Sequence, residues 1–432
     1  MKKHLYISHV GPITGEVNID LKRFNVFIGP QSSGKSTIAK LISTFSWIEK
    51  EACTTLSKDI FPGGKGFVSY TEDYHRMHGY FQEDSVVRYE SEYIRVEYNK
   101  GDFSISFTDK SLDYLRVKVT YVPSDRNVIT LRDIEKRELG ETNFRSFLFD
   151  WLDARRYYDS AHKADLLNLD VKYYYDSKRI EYQDRITHHN GQSYEIALYD
   201  ASSGLQSAVP LVVLITYLKK LYFVNYRKEF SYESQKRENE LAIRLIDRLL
   251  VPYVNHTEDE TPSAIFRRTT QEMIDGNTSY RKYFENIQKA LNNLISPHSI
   301  AYIIEELEQN LFPVTQCDLT KSIIAACNDK EHLGSAVITT HSPYVLAMIN
   351  SQILAGLLLK QGVEERTINE IIPIDCAIDE DEIGVYAIDE GSCKSIKDKE
   401  MGMINQNYLD TASEYIAASF DKLYTLYIKT LK

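Results

Sequence analysis

Nine residues constrain this chain more than any others: Gly29-Pro30-Gln31-Ser32-Ser33-Gly34-Lys35-Ser36-Thr37, a complete match to G-x-x-x-x-G-K-[ST]. The flanks matter as much as the pattern. Phe24-Asn25-Val26-Phe27-Ile28 runs straight into it and reads as a buried strand. Ile38, Leu41, Ile42, Phe45 and Ile48 follow at helical spacing, which predicts a helix over 38–56. A strand that delivers a Gly-rich loop into a helix commits this region to an α/β unit. Consecutive N–H groups in such a loop wrap a phosphate, and the helix presents its positive end to the same anion. Gly29 to Thr37 is therefore the expected nucleotide-binding segment. Lys35 reaches the β/γ-phosphates as a point charge, and the Ser36 hydroxyl ligates Mg²⁺.

Composition narrows the class further. Apolar residues are 43% and aromatics 12%, enough for a packed core and unlike a disordered chain. The formal charge of −11 argues against a general DNA coat, although a local basic groove built from residues such as Lys22, Arg23, Arg267 and Arg268 is compatible with it. The five cysteines form no C-x-x-C pair, which argues against zinc ribbons and thiol redox sites. The first ten residues are too polar for a signal peptide. The apolar run from Pro210 to Tyr217 ends at Lys219 and Lys220, short of a membrane span. The expectation is a cytoplasmic protein without a membrane partner.

Along the chain, Leu5 to Val10 and Gly15 to Leu21 read as strands, the second a half-buried edge. Tyr93 to Phe107 suggests a small antiparallel sheet, and Leu115 to Pro123 a strand ending at Pro123-Ser124-Asp125-Arg126-Asn127. Residues 128–170 read as helical, with Phe147, Leu148, Trp151 and Leu152 on one face. Val171 to Leu198 reads as strands and turns. Residues 206–250 read as one or two helices, the second charged and exposed over Glu229 to Arg244. A polar loop spans 252–264, and Phe266 to Leu294 is again helical. Ile383 to Ile388 and Ser392 to Ile396 form a hairpin, and a helix covers Tyr408 to Leu431.

Two further strand ends carry chemistry. Ser299 to Ile304 is an apolar strand ending in Glu305-Glu306. Beside a phosphate loop, Glu305 would hold Mg²⁺ and Glu306 would accept a proton from the attacking water. The bland reading is a strand entering an acidic helix start. Ser335 to Thr340 is the second strand, and it delivers His341, which can hydrogen-bond a γ-phosphate and a water. Ala201-Ser202-Ser203-Gly204-Leu205-Gln206-Ser207 precedes an apolar helix. It is either a simple N-cap or a second anion site.

These four segments, in this order, resemble the ABC-type ATPases of the SMC/RecF/OLD group, with their Walker A, signature motif, Walker B and switch His. The match looks closest to the ATPase subunits of bacterial antiphage systems such as PARIS and Septu. It covers roughly residues 1–50, 115–127, 199–220 and 299–390. The resemblance implies an ABC-type P-loop head with a mixed central sheet and an inserted, mainly helical region. It implies hydrolysis of ATP with Mg²⁺, using Lys35, Glu306 and His341. Two heads would pair head to tail, so that Ser202, Ser203, Gly204 and Gln206 reach the partner's nucleotide in trans. Asn310 to Pro313 would lie at that interface.

Departures from the pattern leave nucleotide binding intact and allow turnover to be slow. Leu205 stands at the usual second glycine of the signature, Glu305 at a common Asp and Leu307 at a common Pro. No glutamine occupies Pro123 to Asn127, where Asp125 or Asn127 remain candidates. The related OLD nucleases continue into a TOPRIM domain. Here Asp379-Glu380-Asp381 matches its D-x-D only formally and reads as a solvated loop. Tyr173-Tyr174-Tyr175 is either a nucleic-acid stacking platform or core.

The expected organisation is an N-terminal lobe (1–127), an insertion (128–198), the signature helix (199–220), a helical insertion (221–298), a C-terminal lobe (299–390) and a C-terminal hairpin end and helix (391–432). The expected function is a nucleotide-gated homodimer or larger homo-oligomer. It would control a separate effector protein, a nuclease or toxin. The alternative is a DNA-repair ATPase that binds DNA directly.

Overall fold

The computed structural model describes residues 3–188, 194–226, 232–405 and 407–430. The chain is an α/β protein with a mixed central sheet and an inserted, mainly helical region. β1 (Lys3–Val10) and β2 (Ile13–Leu21) form a hairpin, and β3 (Phe24–Ile28) leads into α1 (Lys35–Thr55). α2 (Gly63–His75) precedes β4 (Phe81–Glu90), β5 (Ile94–Asn99) and β6 (Asp102–Phe107). The expected small sheet is thus part of a five-stranded antiparallel one, ordered β2-β1-β4-β5-β6, with β2 at its edge.

β7 (Val117–Val122) belongs instead to the central sheet, with β12 (Ser299–Ile304), β13 (Ser335–Thr339), β14 (Ile383–Asp389) and β15 (Ser392–Ser395). Its order is β15-β14-β3-β13-β12-β7. All neighbours run parallel except the β14–β15 hairpin. Parallel strands covered on both faces read as continuous apolar runs, which is why β3 and β12 were visible in the sequence. α1 lies between the two sheets. Ile38, Leu41, Phe45 and Ile48 are fully buried, and Phe45 stacks on Tyr89 at 5.4 Å.

The segment expected to be helical over 128–170 is helical only in α3 (Asn143–Arg155). Arg126–Thr130 and Ile134–Lys136 are single 3₁₀ turns. The apolar helical period starts at Phe144, and the Thr142 hydroxyl caps the helix by accepting from the Arg145 N–H. Beyond α3, β8 (Ala164–Asp165), β9 (Val171–Tyr175), β10 (Asp184–His188) and β11 (Tyr194–Ala197) form an antiparallel sheet. Tyr173 and Tyr174 are buried in it, and the Tyr173 hydroxyl donates to Asp184. That run is core, not a stacking platform.

α4 (Ser203–Lys220), α5 (Tyr222–Tyr226), α6 (Tyr232–Leu249), α7 (Pro262–Ile274) and α8 (Arg281–Ile295) follow. The helix expected over Phe266 to Leu294 is broken by Gly276, whose φ of 103° suits a residue without a Cβ. Glu229, the expected start of the charged helix, lies outside the described residues. That helix is not exposed throughout, because Leu241, Leu245 and Ile246 of α6 are buried. α9 (Pro313–Cys327), α10 (Pro343–Lys360), α11 (Glu365–Asn369) and α12 (Tyr408–Thr430) complete the chain. Leu431, the expected last residue of the terminal helix, also lies outside the described residues. α10 is long and apolar enough by composition to cross a bilayer. Here Val345, Ile349 and Ile353 are fully buried. Asp379, Glu380 and Asp381 are bridged by the Lys360 ammonium at 2.7, 2.9 and 3.3 Å.

Candidate nucleotide site

Parallel pairing turns the C-terminal ends of β3, β13, β12 and β7 to one edge of the central sheet. Backbone bonds continue the ladder past the strands. The Glu305 N–H donates to Val122 O at 2.9 Å, Leu307 N–H to Thr339 O at 3.3 Å and Thr340 N–H to Phe27 O at 3.1 Å. Gly29, Ser124, Glu305 and His341 therefore follow four adjacent strands. Brought to one edge, residues from four distant parts of the sequence can share a ligand.

The loop after β3 is closely packed. A Cβ on Gly29 would stand 2.3 Å from the Ile388 carbonyl oxygen and 2.6 Å from Ser33 Oγ. Gly34 precedes α1 with φ 106°, so no side chain caps this helix, and its first turn carries no acid. The positive helix end is left for an anion. Ser33 Oγ is buried without a hydrogen-bond partner. The Lys35 ammonium is buried across the loop and donates to the carbonyls of Gly29 at 2.8 Å and Pro30 at 2.7 Å. Burial pulls its pKa down to about 8, against the upward pull of Glu306 and Glu308. An orphan hydroxyl, an uncapped helix start and a buried ammonium fit a phosphate chain.

Glu305 is buried. Its carboxylate accepts the Tyr121 hydroxyl at 2.5 Å and the Ser124 N–H at 3.3 Å. Burial and Glu305 together push the Tyr121 pKa well up, so the hydroxyl stays a donor. Ser36 is half-buried, and the oxygens of Ser36 and Glu305 are of the hard type that fits Mg²⁺. Glu306 leaves the strand with φ 44°, a left-handed conformation that costs a non-glycine residue on the order of 1 kcal/mol or more. Its N–H donates to Thr339 Oγ1 at 3.0 Å. Its carboxylate feels both Lys35 and His341. His341 is half-buried. Burial and Lys35 lower its pKa, while Glu308, Glu306 and the Gly29 backbone oppose them. The imidazole is thus neutral at pH 7.

Three residues escaped the sequence reading. Glu308 accepts Thr340 Oγ1 at 2.7 Å and the His341 N–H, which locks the end of β13 to the loop after β12. Tyr121 orients Glu305. Arg126 is fully buried, and its guanidinium donates to the carbonyls of Ser207 (3.3 Å), Glu305 (3.0 Å), Glu306 (3.0 Å) and Leu307 (3.3 Å). Arg126 sits between the two residues weighed for the missing glutamine. Asp125 pairs instead with Arg76 at 3.2 Å. The one signal was a basic residue four positions after the last residue of a strand of the parallel sheet.

At the start of α4, Ser202 Oγ accepts the Leu205 N–H at 3.4 Å, and Ser203 is exposed. The Gln206 amide turns back to Tyr199 O at 2.6 Å. Asn310 stands beside this turn. It donates to Ser207 Oγ at 3.3 Å, and a Cβ on Gly204 would lie 2.9 Å from its carbonyl oxygen.

No family model matches the sequence. No curated protein matches it. Among solved structures, the chain is similar to the SMC head domain from Thermotoga maritima, with a TM-score of 0.34 and 8% identity over 91% of this chain and 98% of that one. It is also similar to the recombination mediator RecF, with a TM-score of 0.27 and 11% identity over 92% of this chain and 98% of that one. A third is an ATP-binding cassette seen as a post-hydrolysis dimer with ADP and phosphate, with a TM-score of 0.25 and 11% identity over 91% of this chain and 99% of that one.

Proposed function

We propose that this chain hydrolyses ATP with Mg²⁺ and that nucleotide binding pairs two heads. One observation carries the reading. Lys35, Glu306, Glu308 and His341 share one electrostatic neighbourhood, beside a helix start that no side chain caps. In this reading residues 29–37 wrap the phosphates, and the Lys35 ammonium exchanges the Gly29 and Pro30 carbonyls for phosphate oxygens. Ser36 and Glu305 would hold Mg²⁺, which would supply positive charge against the phosphates. Glu306 takes a proton from the attacking water, and neutral His341 donates to the γ-phosphate. Ser202, Ser203, Gly204 and Gln206 close on the partner's nucleotide, with Asn310 at the interface.

Lys35 gives this reading a pH signature. The free ammonium is protonated below about pH 8 and lost above it. Phosphate binding favours the charged form. ATP affinity is therefore expected to be flat below pH 8 and to fall above it, in titration calorimetry across pH 7 to 9.5.

The paired heads would gate a separate effector protein, a nuclease or toxin, in a cytoplasmic antiphage system. The second reading is a DNA-repair or DNA-scanning ATPase that binds DNA directly. Of the basic residues that suggested a groove, Arg23 pairs with Glu382 and Arg268 with Glu260 and Glu272. The test uses tagged Glu306→Gln protein expressed from its native locus and purified with ATP and Mg²⁺. Its mass by light scattering is expected to at least double on ATP addition. An unchanged mass with ATP bound contradicts head pairing. A stoichiometric protein retained after nuclease treatment supports the effector reading. Nucleic acid without a protein partner supports the DNA reading.

A further inference from the structure

Residues of α1, α2, β7 and the start of α3 line a cavity of about 520 Å³ outside the phosphate loop, a volume suited to a small organic ligand. Ser43, Thr44, Trp47 and Lys50 reach it from α1, at spacings that put them on one helix face. Tyr121 joins the cavity to the proposed nucleotide site: it lines the one, and its hydroxyl donates to Glu305 in the other.

One wall is aromatic. Trp47 stacks on Tyr70 at 4.7 Å, and Tyr70 on Tyr74 at 5.5 Å. All three rings are only half-buried, so a flat ring can pack against them. The exposed Phe149 borders the cavity from α3. Hydroxyls of Ser43, Thr44, Thr142 and Ser146 lie among the lining residues, as polar groups that can orient a ligand.

The charges set the sign of the occupant. Three cations line the cavity: Lys50, Lys118 and Arg145. Lys118 is answered by Asp150 at 2.6 Å and Arg145 by Glu141. The half-buried Lys50 ammonium has no hydrogen bond or ion pair among the described residues. Burial, Lys118 and Arg116 pull its pKa down to about 8, against the smaller upward pull of Glu51 and Asp150. An ammonium placed there burdens the fold and returns no contact to it. One further negative charge in the cavity would relieve it. The start of the 13-residue helix α3 brings a positive helix end to the same cavity.

We infer that this cavity is a second ligand site, for a small aromatic monoanion whose acid group pairs with Lys50 and whose ring packs on Trp47 and Tyr70. An aromatic carboxylate and a cyclic nucleotide phosphodiester both carry one negative charge beside a ring, and the test separates them.

The probes are benzoate, 3′,5′-cyclic AMP and the ring-free acetate, each titrated by calorimetry into the full chain without ATP. At least one ring-bearing probe is expected to bind at millimolar concentration or below, at least tenfold more tightly than acetate. Binding by benzoate alone identifies an aromatic acid, and binding by cyclic AMP alone a nucleotide. Tryptophan fluorescence locates the ligand. Of the two tryptophans, Trp151 is buried in the core, so a change on binding reports Trp47. Lys50→Met is expected to stay folded, with a melting temperature at or above that of the wild type, and to bind the probe at least tenfold more weakly. Lys35→Ala is expected to bind it as the wild type does. Three results overturn the inference: no ring-bearing probe binds, Lys50→Met binds with wild-type affinity, or Lys35→Ala loses the binding.

Discussion

Glu306→Gln is expected to lower steady-state ATP hydrolysis by roughly 100-fold to 10,000-fold, the contribution of a positioned general base, while ATP binding persists. The carboxamide keeps the side chain's shape but cannot accept a proton. Glu306 sits where that loss is felt. Its backbone is fixed at φ 44° between the Thr339 hydroxyl and the Arg126 guanidinium, and its carboxylate interacts with Lys35 and His341. Phosphate release under saturating MgATP, with binding measured in parallel, checks it. A variant that turns over at the wild-type rate removes Glu306 from the base role. Glu308, which acts on the same lysine and histidine, is then the next carboxylate to test.

Arg126→Met is expected to destabilise the fold by about 3–5 kcal/mol, because a similar-sized apolar chain leaves four carbonyls without their buried donor. Burial lowers the Arg126 pKa to about 10, with Glu308, Glu306 and Glu305 holding it up, so the group is charged at pH 7. Its carbonyl partners are those of Ser207 in α4 and of Glu305, Glu306 and Leu307 at the end of β12. Arg126 is thus a positioning residue that ties the proposed trans surface to the proposed catalytic strand end. Thermal denaturation reads the stability loss. A kcat that falls while the ATP dissociation constant holds reads the positioning role. Arg126→Lys is expected to recover stability only in part, since one ammonium cannot reach carbonyls spread over two elements. An Arg126→Met protein as stable and as active as wild type would show that these bonds carry no weight.

Sequence was most informative where cause and consequence are local. The unit β3–loop–α1 is contiguous, and its glycines, lysine and apolar period state its geometry directly. β12 with Glu305 and β13 with His341 were legible as apolar runs ending in polar residues. Their meeting at one sheet edge was expected only from the phosphate loop and the resemblance to ABC-type ATPases, not from local residues, because pairing of β12 with β13 and β7 joins segments far apart in the chain. Arg126 was hidden for the same reason. Its partners are backbone carbonyls, which leave no residue-type signature. The misread helix over 128–170 has a different origin. Outside Phe144 to Trp151 the apolar spacing is irregular, and Arg155 instead ties Glu135 to Asp184 across the insertion. Side chains bridging distant segments set that region's shape, not local propensity.

The central claim is that the loop over residues 29–37, with Lys35, holds the phosphates of ATP. Equilibrium binding of MgATP to the wild-type chain and to Lys35→Ala at pH 7 tests it most directly, with circular dichroism to confirm that both are folded. The account predicts saturable binding by the wild type, weakened at least tenfold in the variant. Equal affinity for the two proteins, or no binding by a folded wild type, would contradict it.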